Sequence, residues 1–136
     1  MFNRDYIHPS RHAPWGGEAE LVSIVVIGED WSAAAFVWTF AATEGGAAVM
    51  TLTSQPPGVE GVSASYDAGY VHPETGQIIG ATTIVPLIPE ATIEALVWAD
   101  PLLAKSYAHD LLVTPVGRYQ RTYCKGTLTI EPGVGD

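Results

Sequence analysis

The sequence predicts an all-β protein of about seven short antiparallel strands, packed as a sandwich or barrel, with one short helix. Short runs of β-branched and aromatic residues recur along the chain, and turn signals separate them every 8 to 12 residues or so. The 14 glycines and 10 prolines are spread between these runs, where they mark turns. The sequence does not alternate strands with long helices, so it does not predict a parallel α/β sheet.

Length and composition fit one folded domain without a membrane segment. The chain has 136 residues, of which 47% are hydrophobic and 15% charged, and this balance excludes a disordered chain. No apolar run reaches the ~18 residues of a membrane helix. The first residues also lack the apolar core of a secretion signal. We therefore expect neither a membrane partner nor secretion.

Charge and cysteine content narrow the possible partners. The net charge of −9 repels phosphate backbones, so we expect no nucleic-acid partner. The single cysteine, Cys124, can form neither an internal disulfide nor a zinc site alone, which fits synthesis in a reducing cytosol. We expect no metal and no cofactor.

The chain divides into an irregular N-terminal arm, residues 1–17, and a single β domain, residues 18–136. Pro9 and Pro14 interrupt any periodic pattern in the arm. Its aromatic residues, Phe2, Tyr6 and Trp15, favour an arm that docks, either on its own domain or on a neighbouring subunit.

Five strands are expected before the terminal segment, over residues 20–27, 34–42, 47–53, 62–71 and 77–87. Phe36, Trp38 and Phe40 recur at period two, which places them on one buried face. Pro89 then opens a short helix over residues 90–98, with Ile93, Leu96 and Val97 as its apolar stripe and Trp98 capping the core.

The last 28 residues, 109–136, are predicted to form one long β-hairpin. Its strands cover residues 110–114 and 118–131, joined by the turn Pro115-Val116-Gly117. The second strand carries Arg118 and Arg121, two of the six basic residues. Such a strand either meets an acidic sister subunit or is an edge protected by charge, and the sequence leaves both open.

No residue pattern predicts catalysis or metal binding. His8 and His12 have the spacing of a metal-binding helix, but the prolines beside them disfavour a helix. His109 and Asp110 are neighbours on a strand, so their side chains should point to opposite faces. No Gly-x-Ser-x-Gly motif is present, and Cys124 lies mid-strand as an expected core residue. We therefore do not expect this protein to be an enzyme.

Several motifs occur in an order that resembles a known family. They are a Gly-Glu-Asp-Trp turn at 28–31, a double-glycine strand at 36–46, a Gly/Thr-rich strand at 76–85, a short helix at 89–96, Tyr-x-x-Asp-Leu-x-Val-Thr-x-x-Gly at 107–117 and Gly-Thr-x-Thr-Ile-x-Pro-Gly-Val at 126–134. Over roughly residues 20–135, the chain resembles small immunoglobulin-like β-sandwich proteins from tailed-phage and prophage structural modules. The arm and the loop at 56–61 have no counterpart there.

This resemblance implies an immunoglobulin-like sandwich that acts as a scaffold or adaptor in a head–tail, tail or baseplate structure. The protein would be made in the bacterial host cytoplasm and work in the virion, as a homo-oligomer or with other phage structural proteins. The expected interface residues are Phe2, Tyr6, Trp15, Arg118 and Arg121, since aromatic and arginine side chains are enriched at interfaces.

The alternative is a β-sandwich module that binds carbohydrate or another small ligand. Tyr66, Asp67 and Tyr70 cluster beside a predicted turn, and Trp31 follows another turn. Aromatic rings and carboxylates at loop ends can bind sugars, so these four residues are the expected site under this alternative.

Overall fold

The computed structural model describes residues 2–17, 22–96 and 102–133. The regular secondary structure of the described residues is almost all β-strand, with one five-residue helix, and this confirms the predicted all-β class. No helix among them is long and apolar enough to cross a membrane. The elements are β1 Phe2–Asn3, β2 Tyr6–His8, β3 Trp15–Gly16, β4 Ile24–Ile27, β5 Ala35–Ala41, β6 Ala48–Thr53, β7 Gly61–Asp67, β8 Ala81–Ile88, α1 Glu90–Glu94, β9 Lys105–Thr114 and β10 Arg121–Ile130.

The strands form two sheets. The six-stranded sheet has the order β10-β9-β5-β6, with β1 and β2 both added in parallel to the outer side of β10. The second sheet is antiparallel and centres on β8. Strand β7 pairs along one side of β8, so β4 and β3, which pair with different parts of β8, lie end to end on its other side.

Alternation along the strands places one shared core between the sheets. On β5 the side chains of Phe36, Trp38 and Phe40 are buried, as their period-two spacing predicted. Leu111 on β9 and Ile84 on β8 are likewise fully buried. Buried side chains of both sheets belong to a single apolar cluster, which is what stabilises the pair of sheets.

The N-terminal segment differs from the irregular arm that we expected. It contains β1, β2 and β3, and so it joins both sheets. The reason is aromatic burial: Tyr6 is 6% exposed and Trp15 is 3% exposed, and their ring centroids lie 5.2 Å apart. Of the two docking alternatives, the described residues show the segment docked on its own domain.

A glycine on β10 lets this segment lie close to the sheet. Arg4 donates its backbone N–H to the Lys125 carbonyl at 2.9 Å, and Thr127 donates its own to an Asp5 carboxylate oxygen at 2.9 Å. Gly126 lies between these contacts, and a Cβ there would collide with the Arg4 carbonyl. The position therefore requires glycine because of the neighbouring backbone.

The terminal hairpin is confirmed, although its strands differ in extent from the prediction. Its first strand is the ten-residue β9 rather than residues 110–114, and β10 begins at Arg121. The turn is where it was expected: Arg118 donates its N–H to the Pro115 carbonyl at 3.0 Å, and Gly117 has φ +74°.

Four other elements, β4, β7, β8 and α1, are shorter than predicted. The chain between β7 and β8 forms a small hairpin with a Val71–Ile78 bridge, so β7 ends at Asp67 and β8 begins at Ala81. Helix α1 ends at Glu94, and the expected helix residues Val97 and Trp98 lie outside the described residues. Strand β4 begins at Ile24, and the first two residues of its predicted range, 20 and 21, are also not described.

Replacing Gly126 with alanine should loosen the N-terminal segment. The added Cβ meets the Arg4 carbonyl, so we expect a loss of about 1–3 kcal/mol in the free energy of unfolding. Urea unfolding measures the loss, and hydrogen exchange of the β2 amides should accelerate. Gly69→Ala is the control because a Cβ there makes only an ordinary contact. Equal stability of the two variants would contradict the argument.

Candidate interaction surface

The loop between β9 and β10, residues 115–120, is the most exposed apolar part of the terminal hairpin, and we call it the hairpin tip. Val116 is 75% exposed and Tyr119 is 95% exposed. Arg118 lies between them and is also exposed. The tip therefore presents an aromatic ring, an aliphatic side chain and a guanidinium group to solvent.

The tip rests on the turn between β4 and β5. The Arg118 guanidinium lies 3.6 Å from a Glu29 carboxylate oxygen, in an exposed ion pair that contributes little stability. Arg121, at the start of β10, holds its guanidinium 5.3 Å from the centre of the Trp31 ring. The Trp31 ring in turn packs edge-on against Tyr123 at 5.0 Å. These contacts fix the base of the tip.

The structure brings together three of the five expected interface residues. Arg118 and Arg121 lie at the tip and its base, and Phe2 packs edge-on against Tyr123 at 5.1 Å beside them. Tyr6 and Trp15 are instead core residues. They were singled out because they are aromatic, but their rings stabilise the N-terminal segment and leave almost no surface for a partner.

The four residues of the ligand-binding alternative do not share a groove. Trp31 is 2% exposed and lies under Arg121. Tyr66 is 41% exposed and covers Gly80, while Asp67 accepts a hydrogen bond from the Gly69 N–H at 2.9 Å. Tyr70 is half-buried, and none of the four residues lines either of two surface pockets found among the described residues. Trp31 is therefore not available as a stacking platform.

The larger of these pockets lies on the outer face of the six-stranded sheet, with a volume of about 810 Å³. Its floor contains the small residues Ala41 and Ala108, which are directly opposite each other on β5 and β9. Lys125 spans the rim to a Glu44 carboxylate oxygen at 3.3 Å. Small residues carry no chemical signal in a sequence, so the pattern did not predict this hollow.

The residues considered for catalysis are not arranged for it. Asp110 lines the outer pocket, and one of its carboxylate oxygens, which is buried, has no hydrogen-bond partner. His109 is buried on the core side, because adjacent residues of a strand point to opposite faces of the sheet. Burial raises the pKa of the Cys124 thiol to about 11, so its nucleophilic thiolate is scarce at neutral pH. Within the described ranges no cluster of three or more His, Cys, Asp or Glu could hold a metal ion.

His109 links the core to the N-terminal segment through both ring nitrogens. Trp38 donates its indole N–H to Nδ1 at 3.1 Å, so Nε2 carries the proton and donates it to the Arg4 carbonyl at 2.6 Å. Burial lowers the pKa of this imidazole; the Arg4 carbonyl and the nearby carboxylates oppose the shift without cancelling it. The neutral imidazole is thus the form that makes both hydrogen bonds, because its Nδ1 must accept the proton that Trp38 donates.

Comparison with known proteins gives no assignment: the chain matches no family model, no curated protein and no solved structure.

Stability should depend on the protonation of His109. The unfolded chain takes up this proton near pH 6.5, whereas the folded chain resists it until a lower pH. The free energy of unfolding should therefore be highest above about pH 6.5 and should fall as the pH drops below that value. The total loss is up to about 1.4 kcal/mol for each unit by which folding lowers the pKa of His109.

Urea unfolding at several pH values between about 7.5 and 5 measures this loss. His109→Gln should lower stability at pH 7.5 by about 1–3 kcal/mol, since the Trp38 and Arg4 partners are disturbed, but flatten the decline with acid. His72→Gln, which removes a histidine from the small surface hairpin, is the control. An unchanged decline in His109→Gln would show that another group causes it.

Proposed function

We propose that this protein is an immunoglobulin-like β-sandwich that serves as a structural or assembly protein of a phage or prophage virion. It acts through protein–protein contacts, with a second copy of itself or with other virion proteins. It is made in the cytoplasm of the bacterial host and works in the particle. The strand order supports the fold assignment, and the hairpin tip supports the function.

The strand order matches the immunoglobulin pattern. In the variable-type sandwich, one sheet contains strands B, E and D, and the other contains G, F, C and C′. Here β4, β8 and β7 occupy the first three places, and β10, β9, β5 and β6 occupy the other four. The buried Trp38 lies on the strand that takes the place of strand C, where such domains bury a tryptophan.

Two features depart from that pattern. The inter-sheet disulfide of antibody domains has no equivalent, because Cys124 is the only cysteine. The first residues pair in parallel with β10 before they cross to β8, and helix α1 follows β8. Aromatic packing between the sheets takes the place of the covalent link, with Trp15 and Trp38 centroids 5.8 Å apart.

The single observation that carries the functional proposal is the exposure of Tyr119. A ring that is 95% exposed, beside Val116 and Arg118, buries almost no surface within this chain. Tyrosine and arginine are the side chains that most often dominate binding energy at protein interfaces. The chain as a whole has a net charge of −9, whereas the tip carries Arg118, so the tip suits an acidic protein surface.

The burial of Trp31 favours this assignment over a sugar-binding site. A carbohydrate module needs an open aromatic face, and the Trp31 ring is covered by Arg121 and Tyr123. The rim of the large pocket is formed by charged and small residues, with the Tyr107 and His109 side chains turned to the core. Assembly through the tip uses side chains that are already presented to solvent.

Truncation of the tip should abolish assembly without unfolding the protein. We expect Tyr119→Ala with Arg118→Ala to reduce co-sedimentation with particles of the encoding phage at least about tenfold, as for a truncated hot spot. The urea midpoint should stay unchanged because Tyr119 is solvated. Gln120→Ala in the same loop is the matched control. Wild-type protein that is absent from the particles, or a double variant that sediments with them normally, would overturn the proposal.

A further inference from the structure

The outer pocket of the six-stranded sheet has two rows of side chains on its floor. In the first row, Thr39 on β5, Asp110 on β9 and Lys125 on β10 lie directly opposite one another. In the second row, two residues further along the strands, Ala41 lies opposite Ala108. The turn between β5 and β6 forms a wall beyond the second row. The floor is therefore polar and charged at one end, and small and apolar at the other.

Asp110 brings a negative charge to this floor that the protein does not offset by pairing. Lys125 extends instead to Glu44, with its Nζ 3.3 Å from a carboxylate oxygen, so these two charges offset each other. Within the described ranges the Asp110 carboxylate makes neither a hydrogen bond nor an ion pair, and one of its oxygens is buried. A carboxylate that is partly removed from water costs free energy unless a donor or a cation offsets the loss. A bound cation would supply that offset.

The shape of the pocket favours an organic cation over a metal ion. Its volume of about 810 Å³ is far larger than a single ion needs. In the part of the chain that the structure describes, no group of three His, Cys, Asp or Glu side chains is arranged to hold a metal. The methyl groups of Ala41 and Ala108 instead offer contacts to a hydrocarbon chain. A chain over these alanines would place a charged end at Asp110, which lies about 7 Å away along the strands.

The buried oxygen of Asp110 favours one kind of organic cation. A guanidinium group binds a carboxylate best as a fork, with parallel hydrogen bonds to both oxygens. Asp110 leaves only one oxygen for a ligand, because the other is buried. A primary ammonium group is a compact point charge with rotatable donors, and it can pair with a single oxygen. The pocket therefore suits an ammonium group better than a guanidinium group.

We propose that the outer pocket binds a primary alkylammonium group, with its charged end at Asp110 and its alkyl chain over Ala41 and Ala108. Free linear amines and lysine side chains share this chemistry. The net charge of −9 also raises the concentration of cations near the surface. No residue of the hairpin tip lines the pocket, so this site is separate from the proposed assembly contact and goes beyond it.

Titration with pentylamine, followed by NMR of the isotope-labelled protein, tests the charged end of the site. The amides of Ala41, Ala108 and Asp110 should shift and saturate, with a dissociation constant of about 1 mM or below, and Asp110→Asn should raise this constant at least about tenfold. Asp67→Asn is the matched control, since it makes the same change of charge at an exposed residue of the second sheet. Equal affinity of the two variants would show general attraction to an acidic protein and overturn the proposal.

Ala108→Val tests the path of the alkyl chain while Asp110 stays in place. The larger side chain projects from the floor into the pocket, so pentylamine should bind at least about fivefold more weakly. Valine is well suited to a strand, so the fold should persist by circular dichroism. Ala35→Val is the matched control, because Ala35 is an exposed alanine on the same face at the other end of β5 and does not line the pocket. Equal binding by the two valine variants would overturn the proposed placement.

Three further ligands identify the chemistry and the source of the bound group. Pentanol has the same chain without the charge and should cause no saturable shift. Nα-acetyl-lysine methylamide presents the ammonium as a protein side chain does: binding as tight as that of pentylamine supports a partner's lysine, and binding by pentylamine alone supports a free amine. Saturation by pentanol, or the same shifts at lower concentrations of calcium chloride, would overturn the proposal.

Discussion

The fold depends on the burial of two aromatic rings that the first residues of the chain bring to the core. Tyr6 lies on β2, which pairs with β10, and Trp15 lies on β3, which pairs with β8. The two rings meet each other at 5.2 Å, and Trp15 meets Trp38 at 5.8 Å. One short segment thereby ties both sheets together without a disulfide, and each aromatic pair adds about 0.5–1.5 kcal/mol beyond the area that it buries.

That docking also decides which surfaces remain for other molecules. The N-terminal segment covers the β10 edge, and Gly126 permits the close approach. The hairpin tip, in contrast, leaves Val116 and Tyr119 in solvent. The protein therefore uses its N-terminal aromatics internally, and what it can offer a partner lies elsewhere.

The sequence predicted what depends on local periodicity and missed what depends on distant pairing. The alternating aromatic residues predicted the buried face of β5, and Gly117 predicted the turn of the terminal hairpin. Pro9 and Pro14 interrupt any periodic pattern, so the sequence did not predict the N-terminal strands of two or three residues. Two of these strands, β1 and β2, pair in parallel with β10, which lies far away in the sequence. Likewise, nothing near Trp31 in sequence indicates that Arg121 and Tyr123 cover its ring.

The chemistry of the hairpin tip determines how its contacts with a partner should respond to salt. Under the proposed function, contacts of the tip would use Arg118 against an acidic surface, and they would weaken as salt screens the charges. Such a contact would depend on a few exposed side chains, Val116, Arg118 and Tyr119, rather than on a large apolar patch.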